Sequence, residues 1–337
     1  MNYRHLVPAG KGGYRDTEDR KVVDWFKTSK DVGTVDVGTV DVGTVDVGTV
    51  DVGLLGVPLS KTSISHSAAF MFPASVRQTF GAFSTYSVES DIDLSEMLGA
   101  ADFGDVAMHP TDLQRCLHQV EEAFFDYWTR PGAKLTLVLG GDHGITAPIL
   151  AARAAVDSRF AVLHFDAHHD LRNLEDGGPT NGTPFRRLLS GGHLQGARLA
   201  QVGLRDFVNV RAYTQYARDH GVHLVPMGEV RRNGLQTVVE RALDAIAPEP
   251  DWPIYVSFDL DVLDPAIAPG VPAPSPGGLG LFEVYDVLQF LGADHRVFAL
   301  DLVCADPLVD VRQTTSRLAT TLLLHFCLGR AKGKGSQ

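Results

Sequence analysis

Short apolar runs punctuate the chain at residues 134–139, 160–165, 199–203, 223–226, 252–257 and 296–302. Between them lie stretches with apolar residues at helical spacing, at 145–156, 210–220, 235–246, 281–291 and 312–328, and a longer one at 111–129 through Leu117, Val120, Phe124 and Phe125. Continuous apolar strands alternating with amphipathic helices predict an α/β fold with a mostly parallel sheet covered on both faces. Ligands of such sheets gather outside the carboxyl ends of the strands. The text from Leu59 to Asp105 is loop-rich, with a helix expected at 74–80 and a strand end at Ala101-Asp102-Phe103-Gly104-Asp105. A short helix is expected within 16–28, with Val22, Val23, Trp25 and Phe26 as its apolar face.

From Asp31 the pentad Asp-Val-Gly-Thr-Val repeats in tandem until Asp51-Val52-Gly53, where it merges with Leu54-Leu55-Gly56-Val57-Pro58. A period of five fits neither helix nor strand, and a glycine in every unit weakens both. A duplicated irregular loop is expected, with a β-solenoid turn or an interaction arm as the alternative. Residues 1–53 are therefore set apart as an N-terminal extension, 54–330 as a single domain carrying the chemistry, and 331–337 as a tail.

A chain of 337 residues can bury a sizeable core. Its formal charge of −11 argues against a nucleic-acid surface, which needs a basic patch, and favours a small-molecule partner. Cys116, Cys304 and Cys327 are scattered, odd in number and without metal-ligand spacing, which predicts a reduced, cytoplasmic protein. No signal-like apolar region follows Met1, and no apolar run approaches membrane-spanning length, so no membrane partner is expected.

Candidate chemistry collects where three of the apolar runs give out. The first ends in Gly140-Gly141-Asp142-His143-Gly144, the second in Asp166-Ala167-His168-His169-Asp170, and the third in Asp259-Leu260-Asp261-Val262-Leu263-Asp264-Pro265. If these segments are extended, alternation puts Asp259 and Asp261 on one side, and likewise Asp166, His168 and Asp170. Carboxylates aimed at one point must be paired or cation-bound. His143, Asp166, His168, Asp170, Asp259 and Asp261 offer oxygen and imidazole but no thiolate, a set that suits manganese better than structural zinc.

The three blocks, in this order, resemble the signature of the ureohydrolase superfamily: arginases, agmatinases, guanidinobutyrases and formimidoylglutamases. The match runs from about Val52 to the C-terminal helix. The resemblance implies an arginase-like three-layer α/β/α fold and a homo-oligomer. It further implies two Mn²⁺ ions per subunit, one on His143, Asp166, Asp170 and Asp259, the other on Asp166, His168, Asp259 and Asp261. Such a pair, about 3.5 to 4 Å apart, stabilises hydroxide from a shared water near neutral pH. That hydroxide would attack an amidine-type carbon, with Asp170 as the catalytic proton carrier. Asp142 and Asp264 are expected to orient ligands rather than to be ligands. His169 is expected on the opposite face as a packing or ligand-supporting group, His164 as a hydrogen-bonded core histidine, and Glu283 as a loop or helix cap.

The substrate is read from the loops. Arginases and agmatinases usually begin the loop resembling Asn181-Gly182-Thr183-Pro184-Phe185 with His; here it begins with Asn181. Together with Arg172-Asn173, this looks most like formimidoylglutamase. Arg172, Arg186 and Arg205 follow strand ends, where they would repel dicationic agmatine but bind the two carboxylates of N-formimidoyl-L-glutamate. Arg172, Asn173, Asn181 and Arg205 are the expected substrate residues. Cys304 stands in Asp301-Leu302-Val303-Cys304-Ala305-Asp306-Pro307 where the family typically has Glu, leaving Asp306 or the metals alone to hold the amidine. The expected activity is hydrolysis of N-formimidoyl-L-glutamate to L-glutamate and formamide, a step of histidine breakdown. The alternatives are another ureohydrolase that releases urea, or a non-catalytic metal-binding member.

Overall fold

The computed structural model describes residues 16–28, 50–130 and 132–335, so the tandem pentads up to residue 49 lie outside the described residues. The strands are β1 (Phe26–Thr28), β2 (Val52–Gly56), β3 (Tyr86–Ser87), β4 (Ile92–Asp93), β5 (Ala100–Asp105), β6 (Leu135–Leu139), β7 (Ala161–Phe165), β8 (Leu199–Leu204), β9 (His223–Pro226), β10 (Ile254–Asp259) and β11 (Val297–Val303). Among the described residues, nine of them form one sheet in the order β1-β5-β2-β6-β11-β10-β7-β8-β9. All its pairings are parallel. β3 and β4 form a separate antiparallel ribbon.

Side-chain alternation divides the core in two. Leu135, Leu137, Leu139, Ile254, Val256 and Phe258 face one apolar layer, into which the helices Leu235–Ile246, Leu281–Ala293 and Thr314–Gly335 pack. Val138, Val162 and Tyr255 face the other, against Leu113–Thr129, Thr146–Val156 and Pro184–Ser190. A strand buried on both faces must be apolar at every position, which is why the runs read as continuous rather than alternating. The result is the expected three-layer α/β/α arrangement. No helix among the described residues is long and apolar enough to cross a membrane.

The long helix begins where expected, with the Asp112 side chain accepting from the Arg115 N–H at its N-cap. Glu283 accepts the Gly280 N–H at 2.6 Å, the cap predicted for the loop before Leu281–Ala293. The stretch at 16–28 differs from expectation. Only Val22–Trp25 is helical, and Phe26–Thr28 pairs with β5 at the sheet edge. β-Branched and aromatic residues at Val22, Val23, Trp25 and Phe26 favour such a pleated, half-buried position over a long helix. The short helices Pro184–Ser190 and Met227–Asn233 were beyond the reach of periodicity, since each spans about two turns.

The edge strand is anchored by aromatic packing. Trp25 Nε1 donates to the Leu98 carbonyl at 2.8 Å, and the Phe26 ring stacks on Phe80 with centroids 5.3 Å apart. Replacing Phe26, 5 % exposed, by Ala is expected to lower unfolding free energy by about 3 kcal/mol in urea titration. A change below about 0.5 kcal/mol would mean that this segment adds nothing to the core.

Candidate metal centre

β6, β11, β10 and β7 are the central neighbours of the sheet, and the chain that leaves β6, β7 and β10 carries the three blocks. Each block uses the same local device. Asp142 accepts the Gly144 N–H at 3.0 Å, Asp166 the His168 N–H at 2.6 Å, and Asp259 the Asp261 N–H at 2.9 Å. In all three an aspartate at the strand end caps the amide two residues on, a turn that short acidic side chains make readily. Asp259 and Asp261 therefore converge through a tight turn over Leu260–Val262 rather than through strand alternation. Asp166, His168 and Asp170 likewise lie beyond β7, and Asp170 adopts a left-handed φ of 52°. A non-glycine residue there is strained, which is common where a side chain is aimed at a ligand.

His143 Nδ1 lies 3.1 Å from Asp166 Oδ2, 3.0 Å from Asp170 Oδ2 and 3.2 Å from Asp259 Oδ2. His168 Nδ1 lies 3.2 Å from Asp166 Oδ1 and 3.0 Å from Asp261 Oδ2. The six predicted ligands thus form two clusters, and Asp166 gives one oxygen to each. Asp259 sits with His143, and its other oxygen accepts from Asp261. Oxygen and imidazole donors within 4.8 Å of one another recur in both clusters, as a pair of divalent cations requires.

The clearest sign of a cation position is His143. Its Nε2–H is given to Ser257 Oγ at 2.9 Å, and Ser257 in turn donates to Asp301 Oδ1 at 2.9 Å. That chain leaves Nδ1 free for a ligand, buried and without a well-directed hydrogen-bond partner among the described residues, while three carboxylate oxygens surround it. Asp301 is itself saturated by Thr146, Tyr255, Ser257 and the Phe258 N–H. This support was missed at the sequence level, although a lone aspartate inside the apolar strand Val297–Val303 was the signal for it.

His164, as expected, is a satisfied core histidine. Gln201 donates to its Nδ1, so its Nε2–H is directed to Asp166 Oδ2 at 2.9 Å. Burial pushes this imidazole down to about 4, so it stays neutral. His169, expected on the opposite face, lines the cleft instead, its ring held between Gln201 and Thr214. Asp142 is a bracing residue, as expected, accepting from the Thr62 N–H and hydroxyl and from Ser63 Oγ. Gly141 makes the brace possible, because a Cβ there would lie 1.7 Å from the Leu59 carbonyl oxygen.

A cleft of about 210 Å³ opens over the clusters, lined by Ser63, Asn181, Tyr213 and Cys304 among others, with Arg172 beside them. The Arg172 guanidinium forms no ion pair or hydrogen bond among the described residues, and its aliphatic stem lies against Gly182, where a Cβ would be 2.6 Å from Arg172 Cδ. Asn181 accepts the Ile64 N–H through Oδ1 at 3.1 Å, which leaves its amide donors available. Two expected substrate residues are corrected. Arg205 does not line this cleft: its guanidinium donates to the carbonyls of Asp261, Val262, Leu263 and Ser275 and so clamps the third block from behind. Asn173 folds on itself, bonded to Glu175 and Asp176. Arg186 stacks over Tyr216 at 3.4 Å, and Asp306 accepts from the N–H groups of Ala68 and Leu308 and does not line the cleft.

Four carboxylates at one place are costly without cations. Burial and neighbouring acids hold Asp259 well above the usual carboxylate range, and the same causes raise Asp261. Burial and Asp166 push Asp170 up to about 6. Burial would lower His168, but hydrogen bonds to Asp166 and Asp261 outweigh it and push the imidazole up to about 12. A group whose folded value is raised stabilises the fold below its unfolded value and loses that contribution as pH climbs to the folded one. Asp166, held low, works oppositely but only in the acid range. His164, held down to about 4, also works oppositely below about pH 6.5, so chelator-treated protein is expected to melt at progressively lower temperature from about pH 6.5 to about pH 8, with a divalent cation restoring more at the upper end. A melting temperature that rises over that interval would contradict the charge arrangement.

Comparison with known proteins agrees with this geometry. The Arginase family model matches residues 50–329. The formimidoylglutamase of Halalkalibacterium halodurans is 46% identical over 273 residues, covering 81% of this chain and 85% of the relative. The crystal structure of formimidoylglutamase from Bacillus subtilis superposes with a TM-score of 0.87 at 36% identity, covering 97% of this chain and 96% of that one. Trypanosoma cruzi formiminoglutamase with Mn²⁺ matches with a TM-score of 0.76 at 28% identity, over 84% of this chain and 94% of that one. With its parallel sheet, its three aspartate-led blocks and this match over most of its length, the chain belongs to the arginase family.

Proposed function

We propose that the protein is a manganese-dependent formimidoylglutamase, which splits N-formimidoyl-L-glutamate into L-glutamate and formamide. The observation that carries this is the bare, buried Nδ1 of His143 facing three carboxylates, beside a second cluster that shares Asp166. His143, Asp166, Asp170 and Asp259 would hold one Mn²⁺, and Asp166, His168, Asp259 and Asp261 the other. When bound, such a pair supplies Lewis acidity and makes water a nucleophile near neutral pH.

The remaining roles fall to the chain's own groups. Arg172, free at the cleft, binds a substrate carboxylate, and the Asn181 amide donors add directional hydrogen bonds. Asp170 presents one oxygen to His143, and its other oxygen takes up the proton that the attacking water gives up. That proton goes to the glutamate nitrogen as the bond between it and the formimidoyl carbon breaks, so the amine leaves neutral while the carbon retains its imino nitrogen and gains oxygen as formamide. The Asp142 brace and the Arg205 clamp keep two of the three blocks in register through this exchange. A cytoplasmic homo-oligomer acting in histidine breakdown is part of the proposal; the free, buried thiols at Cys116, Cys304 and Cys327 suit a reducing compartment.

Purified protein loaded with Mn²⁺ is expected to release formamide from N-formimidoyl-L-glutamate in step with glutamate, and no urea from agmatine. Urea from arginine or guanidinobutyrate without formamide would instead mean another ureohydrolase. Arg172→Ala is expected to raise KM about tenfold or more with a smaller change in kcat, since it removes binding made equally in ground and transition states. An unchanged KM would remove Arg172 from substrate recognition.

A further inference from the structure

Four buried residues line the cleft without belonging to the ligand set: Asp142, His169, Gly182 and Cys304. Asp142 is saturated by Thr62, Ser63 and Gly144, and His169 lies between Gln201 and Thr214. Gly182 has no side chain to offer. Cys304 remains, only 6% exposed, on a left-handed φ of 64° fixed by its N–H bond to the Gly141 carbonyl at 2.9 Å. Its Sγ shares a cluster within 4.8 Å with ligand atoms of Asp259 and His143, whose bare Nδ1 marks where a cation belongs. The sulfur therefore flanks the place where the reacting carbon must come to lie.

We propose that Cys304 selects a formimidoyl carbon over a guanidino carbon, an inference that rests on the amidine-hydrolase reading above. A formimidoyl carbon carries hydrogen where a guanidino carbon carries a third nitrogen. A thiol is a neutral, weak acceptor. An NH₂ group pressed against it gives up water without gaining a partner, whereas a C–H group gives up nothing. Asp259 is already engaged, by His143, by the Asp261 N–H and by the Cys304 thiol, which donates to it. The nearby acidic side chain Asp306 is engaged by backbone amides. Cys304 thus sets against that wall of the cleft a group that offers a third nitrogen next to nothing.

The test uses two compounds that differ only at that position: N-formimidoyl-L-glutamate and N-carbamimidoyl-L-glutamate, in which NH₂ replaces the hydrogen. With Mn²⁺-loaded full-length protein, kcat/KM for the first is expected to exceed that for the second by about tenfold to a hundredfold. Cys304→Glu, which restores a strong acceptor, should narrow this ratio by about tenfold, and Cys304→Ser by less, while Cys304→Ala leaves it no narrower. If the Glu variant fails to fold or to retain metal, the Ser and Ala variants decide. A wild type that splits both compounds equally well, or a ratio that stays the same in the Glu and Ser variants, overturns the assignment and leaves an amidine hydrolase. Turnover of neither compound by metal-loaded wild type overturns the hydrolase reading itself and the assignment with it.

Discussion

Repulsion among four aspartates, three of them buried and Asp170 nearly so, is the constraint around which this molecule is built. Asp166, Asp170, Asp259 and Asp261 are brought within reach of two imidazoles at the carboxyl edge of a parallel sheet, a place that water alone does not screen. Two divalent cations carry the charge that balances them. The surrounding structure works to keep that cluster assembled. The apolar layers on both faces hold the strands in register, three aspartate-capped turns redirect the chain as it leaves them, and the Ser257–Asp301 pair orients His143 from below.

Much of this was legible in the sequence. Apolar runs too short for helices and without alternation read as strands buried on both faces, so the layers followed from periodicity together with the resemblance, whereas the strand order did not. The ligand residues were visible because their types recur at three strand ends. The manner of their convergence was not: alternation along an extended chain seemed sufficient, whereas Asp259 and Asp261 meet through a turn that one of them caps.

Arginines were the poorest guide. Arg172 and Arg205 both follow strand ends, and nothing in their spacing tells a guanidinium left free at a cleft from one that four carbonyls enclose. Asn173 and Asn181 pose the same difficulty, because a turn amide and a ligand amide have the same neighbours in sequence. Asp301 could have been picked out, since a single acid within an apolar strand needs several donors, and here it has four. Phe26–Thr28 joined the sheet because edge pairing with β5 outweighed the weak helical pattern before it.

The cleft divides its labour by depth. Its floor gathers the carboxylates and imidazoles together with the buried thiol of Cys304; nearer its rim lie the Arg172 guanidinium and the Asn181 amide. Such a division suits a substrate with a small cationic head and an anionic body. The most direct test of the central claim is the metal content of protein saturated with Mn²⁺ and then freed of excess by gel filtration, read by inductively coupled plasma mass spectrometry. Two ions per chain are predicted; a content that saturates at one would contradict the shared-aspartate pair.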